Sequence, residues 1–164
     1  MQDLLSLFAE ILDYPRPDLA ELSRACEEKV CVSAREGLRE FRHFVAAIPQ
    51  EKLEEVYTET FDLGVERCPY VGYHIFGDGY NRSRFLQELK ARYRACGFEP
   101  GSELPDHLSV MLRFLSTCEE EAEREEILQE AIKPALEKMT AINGGPKSVY
   151  DPVLRSLAAA LKGV

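Results

Sequence analysis

The sequence predicts an all-α protein, a bundle of about seven or eight helices occupying residues 1–164 as a single domain. Three observations lead there. Apolar residues recur at three- and four-residue spacing along most of the chain, which gathers them on one face of a helix. Proline and glycine interrupt that pattern at intervals suited to helix ends. No run alternates apolar and polar residues with the β-branched enrichment of a strand.

In the first element Leu4, Leu5, Phe8, Ile11 and Leu12 share a face, and Tyr14-Pro15-Arg16-Pro17 ends it because proline cannot continue the hydrogen-bond ladder. A second helix is expected from Pro17 to about Lys29, with Leu19, Leu22 and Cys26 inside. The third carries Leu38, Phe41, Val45 and Ile48 and stops at Pro49. The fourth carries Leu53, Val56, Tyr57, Thr60 and Phe61. Gly64 to Tyr80, with glycines at 64, 72, 77 and 79, reads as a long loop or a loop with a short turn in it. Asn81 is the expected N-cap of a fifth helix lined by Phe85, Leu86, Leu89, Tyr93 and Cys96, and Gly97 suits its C-cap.

Pro105 is expected to open a sixth helix at the first helical position, where a missing N–H costs nothing. Leu108, Val110, Met111, Leu112, Phe114 and Leu115 make it apolar nearly all round, the mark of a helix at the centre of a bundle. Glu119 to Glu130 is acidic, yet Ile127, Leu128, Ala131, Ile132, Leu136 and Met139 continue one face through it. Pro134 should kink that helix. Asn143-Gly144-Gly145-Pro146 reads as a break. Asp151 as N-cap and Pro152 as first residue start a last helix, with Val153, Leu154, Leu157 and Leu161 inside.

At 164 residues the chain is long enough to bury a core without disulfides or metals. Its net charge of -9 opposes binding to phosphate backbones and anionic lipid, so nucleic acid is not an expected partner; a basic peptide is an attractive one. Met1-Gln2-Asp3 leads straight into an amphipathic pattern with no basic n-region, so no secretory signal is expected. No apolar run approaches the ~20 residues of a membrane span. Five scattered cysteines, Cys26, Cys31, Cys68, Cys96 and Cys118, do not make a disulfide framework and fit a reducing, cytoplasmic setting.

Catalytic and cofactor chemistry finds little purchase. No cysteine pair has the spacing of a zinc knuckle, and His43, His74 and His107 are scattered, so neither a metal nor a cofactor is expected. Cys68 with His74 would be the nucleophile and base of a small hydrolase, but no oxyanion loop adjoins them. Phe76-Gly77-Asp78-Gly79 lacks both the third glycine and the preceding strand of a dinucleotide site. The acidic run Glu119-Glu120-Glu121 suits a solvated helix N-terminus, where carboxylates favour the helix dipole; the alternative is an acidic docking surface.

Two places invite a functional reading. In Glu103-Leu104-Pro105-Asp106-His107-Leu108, polar groups stand at the mouth of an apolar helix, either capping it or offering contacts. Between Tyr57 and Tyr80, the aromatics Tyr57, Phe61, Tyr70, Tyr73, Phe76 and Tyr80 flank a glycine-rich segment, as core or as the lining of a groove for a partner helix or peptide.

The same residues carry a resemblance. Tyr57-Thr58-Glu59-Thr60-Phe61-Asp62-Leu63 is similar to the Tyr…Phe-Asp segment of the NarJ group of chaperones. Tyr73-His74-Ile75-Phe76-Gly77-Asp78 looks like their His-x-Phe-Gly-Glu stretch, and Glu103-Leu104-Pro105-Asp106-His107-Leu108 matches their Glu-x-Pro-Asp-His signature. The resemblance covers roughly residues 1–145 and is strongest over 57–115. Arg82-Ser83 stands where the family often has Arg-Gly, and Asp78 where it has Glu.

The resemblance implies an all-α, cytoplasmic, non-enzymatic protein of the NarJ, TorD and DmsD type. Such proteins bind the N-terminal segment of a molybdoenzyme catalytic subunit, here a nitrate reductase-like one, until molybdenum cofactor insertion. They act before membrane association or export, with molybdenum cofactor biosynthesis proteins as further partners. It implicates Pro105-Asp106-His107 and the neighbouring aromatics in client-peptide recognition, and with the acidic residues of the two segments the expected client-peptide site is Tyr57, Phe61, Asp62, Tyr70, Tyr73, Glu103, Pro105, Asp106 and His107. In that site the tyrosines and Phe61 line a groove, and Asp62, Glu103 and Asp106 meet basic client residues. Protonation of His107 would tune release. A monomer or a domain-exchanged dimer is expected, hinged in the loops 64–80 and 97–104. The rival reading is a helical adaptor that stays with the mature enzyme as a permanent or regulatory subunit.

Overall fold

Helices account for the secondary structure of the described residues, 1–141 and 147–162 of a computed structural model. In chain order they are α1 (Gln2–Ile11), α2 (Leu19–Lys29), α3 (Val32–Ala47), α4 (Gln50–Tyr57), α5 (Val71–Phe76), α6 (Tyr80–Ala95), α7 (Leu108–Thr117), α8 (Glu121–Ile127), α9 (Lys133–Thr140) and α10 (Asp151–Leu161). α4 runs on into a π turn at Thr58–Asp62, and a second π turn at Leu128–Ile132 joins α8 to α9. No strand forms among the described residues; the one piece of β pairing is an isolated antiparallel bridge between Tyr70 and His107. The expected break at Asn143-Gly144-Gly145-Pro146 lies outside the described residues.

α7 is buried nearly all round, as its sequence requires: Leu108, Val110, Met111, Leu112, Phe114 and Leu115 are all inside. It packs against α1, in which Leu5, Phe8, Ala9 and Ile11 are buried. α3 lies between α2 and α10. The approach of α3 to α10 is close because Gly37 offers no side chain. A Cβ there would stand 2.5 Å from Ser156 Oγ and 2.6 Å from the Pro152 carbonyl oxygen. α10 continues onto α9, and α5 bridges α9 and α6.

Several helix ends follow from local chemistry. α6 closes in a Schellman motif: the Phe98 N–H donates to the Tyr93 carbonyl at 2.8 Å and the Gly97 N–H to that of Arg94 at 3.1 Å. Gly97 takes the left-handed φ of +64° this requires. The Phe98 and Tyr93 rings meet at 5.0 Å, adding the apolar contact that accompanies the motif. The disruption expected at Pro134 takes the form of the π turn just before it, where the Lys133 N–H reaches back to the Leu128 carbonyl. Proline then sits in the first turn of α9, where its missing N–H breaks no regular bond.

Four sequence expectations need correction. Residues 64–80 contain a helix, α5, and a 3-10 turn at Val65–Arg67. α6 starts at Tyr80 with Gly79 as its N-cap, so Asn81 lies inside the first turn. Asp151 is the first residue of α10 rather than its cap; its carboxylate accepts from the Ser148 N–H and from Arg67 at 2.6 and 3.0 Å. Pro105 does not open α7. The helix starts at Leu108 with His107 as N-cap, because the preceding backbone is held extended by pairing with residues 69–71.

Candidate functional site

The Glu103–Leu108 segment is built into the structure from several directions. The Val71 N–H donates to the Asp106 carbonyl at 2.8 Å and the Leu108 N–H to the Pro69 carbonyl at 2.7 Å, the two bonds of the Tyr70–His107 bridge. The buried Tyr93 hydroxyl donates to the Pro105 carbonyl at 2.7 Å. The Asp106 carboxylate, fully buried, is met by Arg82 of α6: Nε to Oδ2 at 2.9 Å and Nη2 to Oδ1 at 3.4 Å. The fork of the guanidinium suits the two carboxylate oxygens. Arg82 also pairs with exposed Asp78 at 3.0 Å and lies over the Tyr70 ring, 5.3 Å from its centroid. α5 comes close enough for this only because residue 72 is glycine. A Cβ there would lie 2.8 Å from Asp106 Oδ2 and 2.9 Å from Phe85 Cδ1.

His107 is buried and serves as the N-cap of α7. Its Nδ1 accepts the Ser109 N–H at 3.3 Å and lies 2.9 Å from the Ser109 hydroxyl. An accepting Nδ1 assigns the proton of the neutral ring to Nε2. Burial lowers the pKa of this imidazole below the usual histidine value, against the opposing pull of Glu103, Asp13 and Asp106. Its ring stands edge-on to Tyr70 at 5.7 Å.

The nine residues singled out from the sequence therefore divide. Tyr57 and Phe61 are core: their rings lie 4.9 Å apart and both meet Tyr150, at 5.8 and 5.0 Å. The Tyr57 hydroxyl donates to the Leu12 carbonyl at 3.3 Å. Pro105, Asp106 and His107 are likewise buried. Tyr70 and Tyr73 are half-buried, while Asp62 and Glu103 are exposed.

Asp62 and Glu103 lie near Tyr70, whereas Tyr73 borders a separate cleft with Val65, Glu66, His74 and Lys138. The Tyr70 phenol pKa is raised by burial first and then by Glu103, Asp106 and Asp62, with Arg82 opposing. Residues the sequence reading passed over join them. Tyr14, just beyond α1, is half exposed and packs edge-on against Tyr57 at 5.6 Å. Partial desolvation, Glu54 and Asp62 raise the pKa of its phenol. Asp13 and Tyr14 line a cleft of about 340 Å³ with Ser6, Ala9, Glu10, Arg16 and Arg113. Leu63, Val65 and Leu104, chain neighbours of the exposed acids, are themselves exposed. The result is a face of carboxylates (Asp13, Glu54, Asp62 and Glu103) interspersed with aromatic and aliphatic side chains. The available signal for Tyr14 was its place in Asp13-Tyr14-Pro15, a helix end where an aromatic ring has no core face to join.

Such a face can take a segment that is apolar on one side and basic on the other. Among the described residues it sets no nucleophile against a base. Cys68 and His74 do meet, Sγ to Nε2 at 3.6 Å, but Nε2 lies 2.8 Å from the Cys68 carbonyl and must donate to it. It cannot then accept the thiol proton, and burial pushes the Cys68 pKa up. Among the described residues no group of three or more His, Cys, Asp or Glu side chains is placed to hold a metal ion. No described helix is long and apolar enough to cross a membrane.

Comparison with known proteins agrees with this architecture. The family described as nitrate reductase delta subunit matches residues 27–142. The chain is 25% identical over 132 residues to a protein of Escherichia coli (strain K12) named Probable nitrate reductase molybdenum cofactor assembly chaperone NarW, covering 78% of this chain and 55% of that one. It is 38% identical over 69 residues to the nitrate reductase-like protein NarX of Mycobacterium tuberculosis (strain ATCC 25618 / H37Rv), covering 42% of this chain and 11% of NarX. The chain thus spans about half the length of the first of these relatives and about a tenth of the second. The crystal structure of a candidate redox enzyme maturation protein from Archaeoglobus fulgidus superposes with a TM-score of 0.68 at 23% identity, over 99% of this chain and 94% of that one. That likeness establishes the fold.

Proposed function

The chain belongs to the nitrate reductase delta subunit family, within the NarJ/TorD group of maturation chaperones, and from that premise we propose that it is an assembly chaperone for a nitrate reductase-like molybdoenzyme. It binds the N-terminal segment of the catalytic subunit in the cytoplasm and supports molybdenum cofactor insertion before membrane association or export. It performs no chemistry of its own.

The observation that carries this reading is the acidic, aromatic face around Tyr70. A client helix or extended segment lays its apolar side on Tyr70, Tyr14 and Leu104 and its Lys or Arg residues against Asp62 and Glu103. Tyr57, Phe61, Pro105, Asp106 and His107, all buried, act from behind by holding that face in place. The chain's net charge of -9 adds a long-range attraction for a basic client and raises the encounter rate at low salt.

Titration calorimetry of the full chain with an N-terminal peptide of a nitrate reductase catalytic subunit tests this. Binding should weaken with added salt. The double substitution Asp62→Lys/Glu103→Lys should lower affinity by about tenfold or more, with unchanged thermal stability because both side chains are exposed. Equal affinity for wild type and double variant would remove the site assignment. Release of the chain once the enzyme is loaded with cofactor separates a chaperone from a permanent subunit.

A further inference from the structure

Between α2 and α3 lies a cleft of about 410 Å³ whose charge is opposite to that of the chain as a whole. Arg24, Arg35, Arg39 and Arg42 line it together with Glu27 and Glu28. Helix geometry gathers them: 24, 27 and 28 share a face of α2, and 35, 39 and 42 share a face of α3. Four guanidinium groups against two carboxylates leave a local excess of two positive charges in a chain of net charge -9.

The arginines are unequally satisfied. Glu27, mostly buried, accepts Arg39 Nε at 3.0 Å and Arg42 Nε at 3.2 Å, which orients both groups and leaves their outer Nη edges available. Arg24 and Arg35 have no carboxylate partner among the described residues. Arg35 reaches only the Val30 carbonyl through Nη2, at 3.4 Å, and its buried Nε has no hydrogen-bond acceptor. An unpartnered buried donor costs free energy that a bound anion would recover.

We propose that this cleft binds a diphosphate group, either as the free anion or carried by a nucleotide. Guanidinium forks match phosphate oxygens two at a time, so several converging arginines suit an anion with more than one phosphate. A single carboxylate would satisfy one fork and leave the others unpaired. The volume falls in the range of small-molecule sites. The cleft is lined by α2 and α3 and shares no residue with the acidic face around Tyr70, so the two sites are separate.

Titration calorimetry of the full chain at low salt, with inorganic pyrophosphate, ADP, AMP and inorganic phosphate as separate probes, tests the inference. Pyrophosphate and ADP should bind once per chain, at least about tenfold more tightly than phosphate and AMP. Arg35→Gln, and separately the exposed Arg24→Gln, should each weaken them by about tenfold while leaving client-peptide affinity unchanged. ADP binding far above pyrophosphate would identify the nucleotide as the source of the diphosphate, and equal binding the free anion. No binding of either at millimolar concentration overturns the proposal. So does binding that survives both substitutions, or phosphate that binds as well as pyrophosphate.

Discussion

Asp106→Ala should destabilise the fold strongly, and its cost can be worked from the surroundings of the carboxylate. Asp106 has no exposed surface and receives two hydrogen bonds from Arg82, whose side chain is 14% exposed. Breaking a buried pair by removing one partner typically costs about 3–5 kcal/mol, because the remaining charge is left without compensation. Arg82 retains exposed Asp78 and can turn toward it, so the low end, about 3 kcal/mol, is expected. For a chain of this size that lowers Tm by roughly 6–12 °C. Scanning calorimetry and urea denaturation followed by circular dichroism measure both quantities. Asp78→Ala is the control and should cost less than about 0.5 kcal/mol, since that carboxylate is 78% exposed. Arg82→Ala should cost at least as much as Asp106→Ala, and the double variant should fall well short of the sum. A wild-type melting curve for Asp106→Ala would refute the idea that this pair anchors the segment. Unchanged stability with lost peptide binding would mean that Asp106 meets the client directly.

Further outcomes follow from other parts of the structure. Gly37→Ala and Gly72→Ala should each destabilise by about 1–3 kcal/mol in urea denaturation, since the added Cβ meets the Pro152 carbonyl oxygen in one case and Asp106 Oδ2 and Phe85 in the other. For Gly37 the sign is diagnostic, because in an open helix Gly→Ala is stabilising by about 1 kcal/mol. Tyr93→Phe should cost about 1–2 kcal/mol by orphaning the Pro105 carbonyl. His107 and His74 both have pKa values depressed below 6.5, burial being the first cause in each. Below that value the unfolded chain takes up protons that the folded chain resists. Stability should therefore be flat above the ordinary histidine pKa and fall as pH drops beneath it, by up to about 1.4 kcal/mol per pH unit for each group. His107→Gln should flatten that slope in urea melts at stepped pH; an unaltered slope would show that His107 does not titrate in this way.

Much of the architecture was legible because helices announce themselves over ten or more residues. α7 could be read as central because it is apolar nearly all round, and the end of α6 from Gly97. α5 was not legible, because the six residues Val71–Phe76 are too few to show a period and lie among glycines. The start of α7 was misread for a different reason. Pro105-Asp106-His107 has the composition of a helix start, but the backbone of Asp106 and Leu108 bonds to Val71 and Pro69, 35 and 39 residues earlier, in a bridge no local pattern encodes. The candidate site divides along the same line. Asp106 and His107 stood out as polar groups in apolar company, yet whether they face a client or the interior depends on Arg82 and Ser109. The Arg82 partner lies 24 positions away and carries no sequence signature of the pairing.

The two π turns have a consequence for how side chains are aimed. Leu53, Tyr57 and Phe61 repeat every four residues, as do Leu128, Ile132, Leu136 and, one position back, Ile127, Ala131 and Ala135. An α-helix turns about 100° per residue, so a strict four-residue repeat slips sideways by about 40° at each step. The single wide turn in each rod takes back that accumulated rotation. The second rod thus behaves as two shafts joined by an angular coupling, and the coupling, rather than a bend, sets where α9 points its residues, whereas the first rod ends in its wide turn. In the first rod the wide turn itself carries Phe61 and Asp62, one ring buried in the core and one carboxylate exposed to solvent. Deleting one residue from Thr58–Asp62 would leave the helix intact and swing that carboxylate about a quarter turn off the face it now serves.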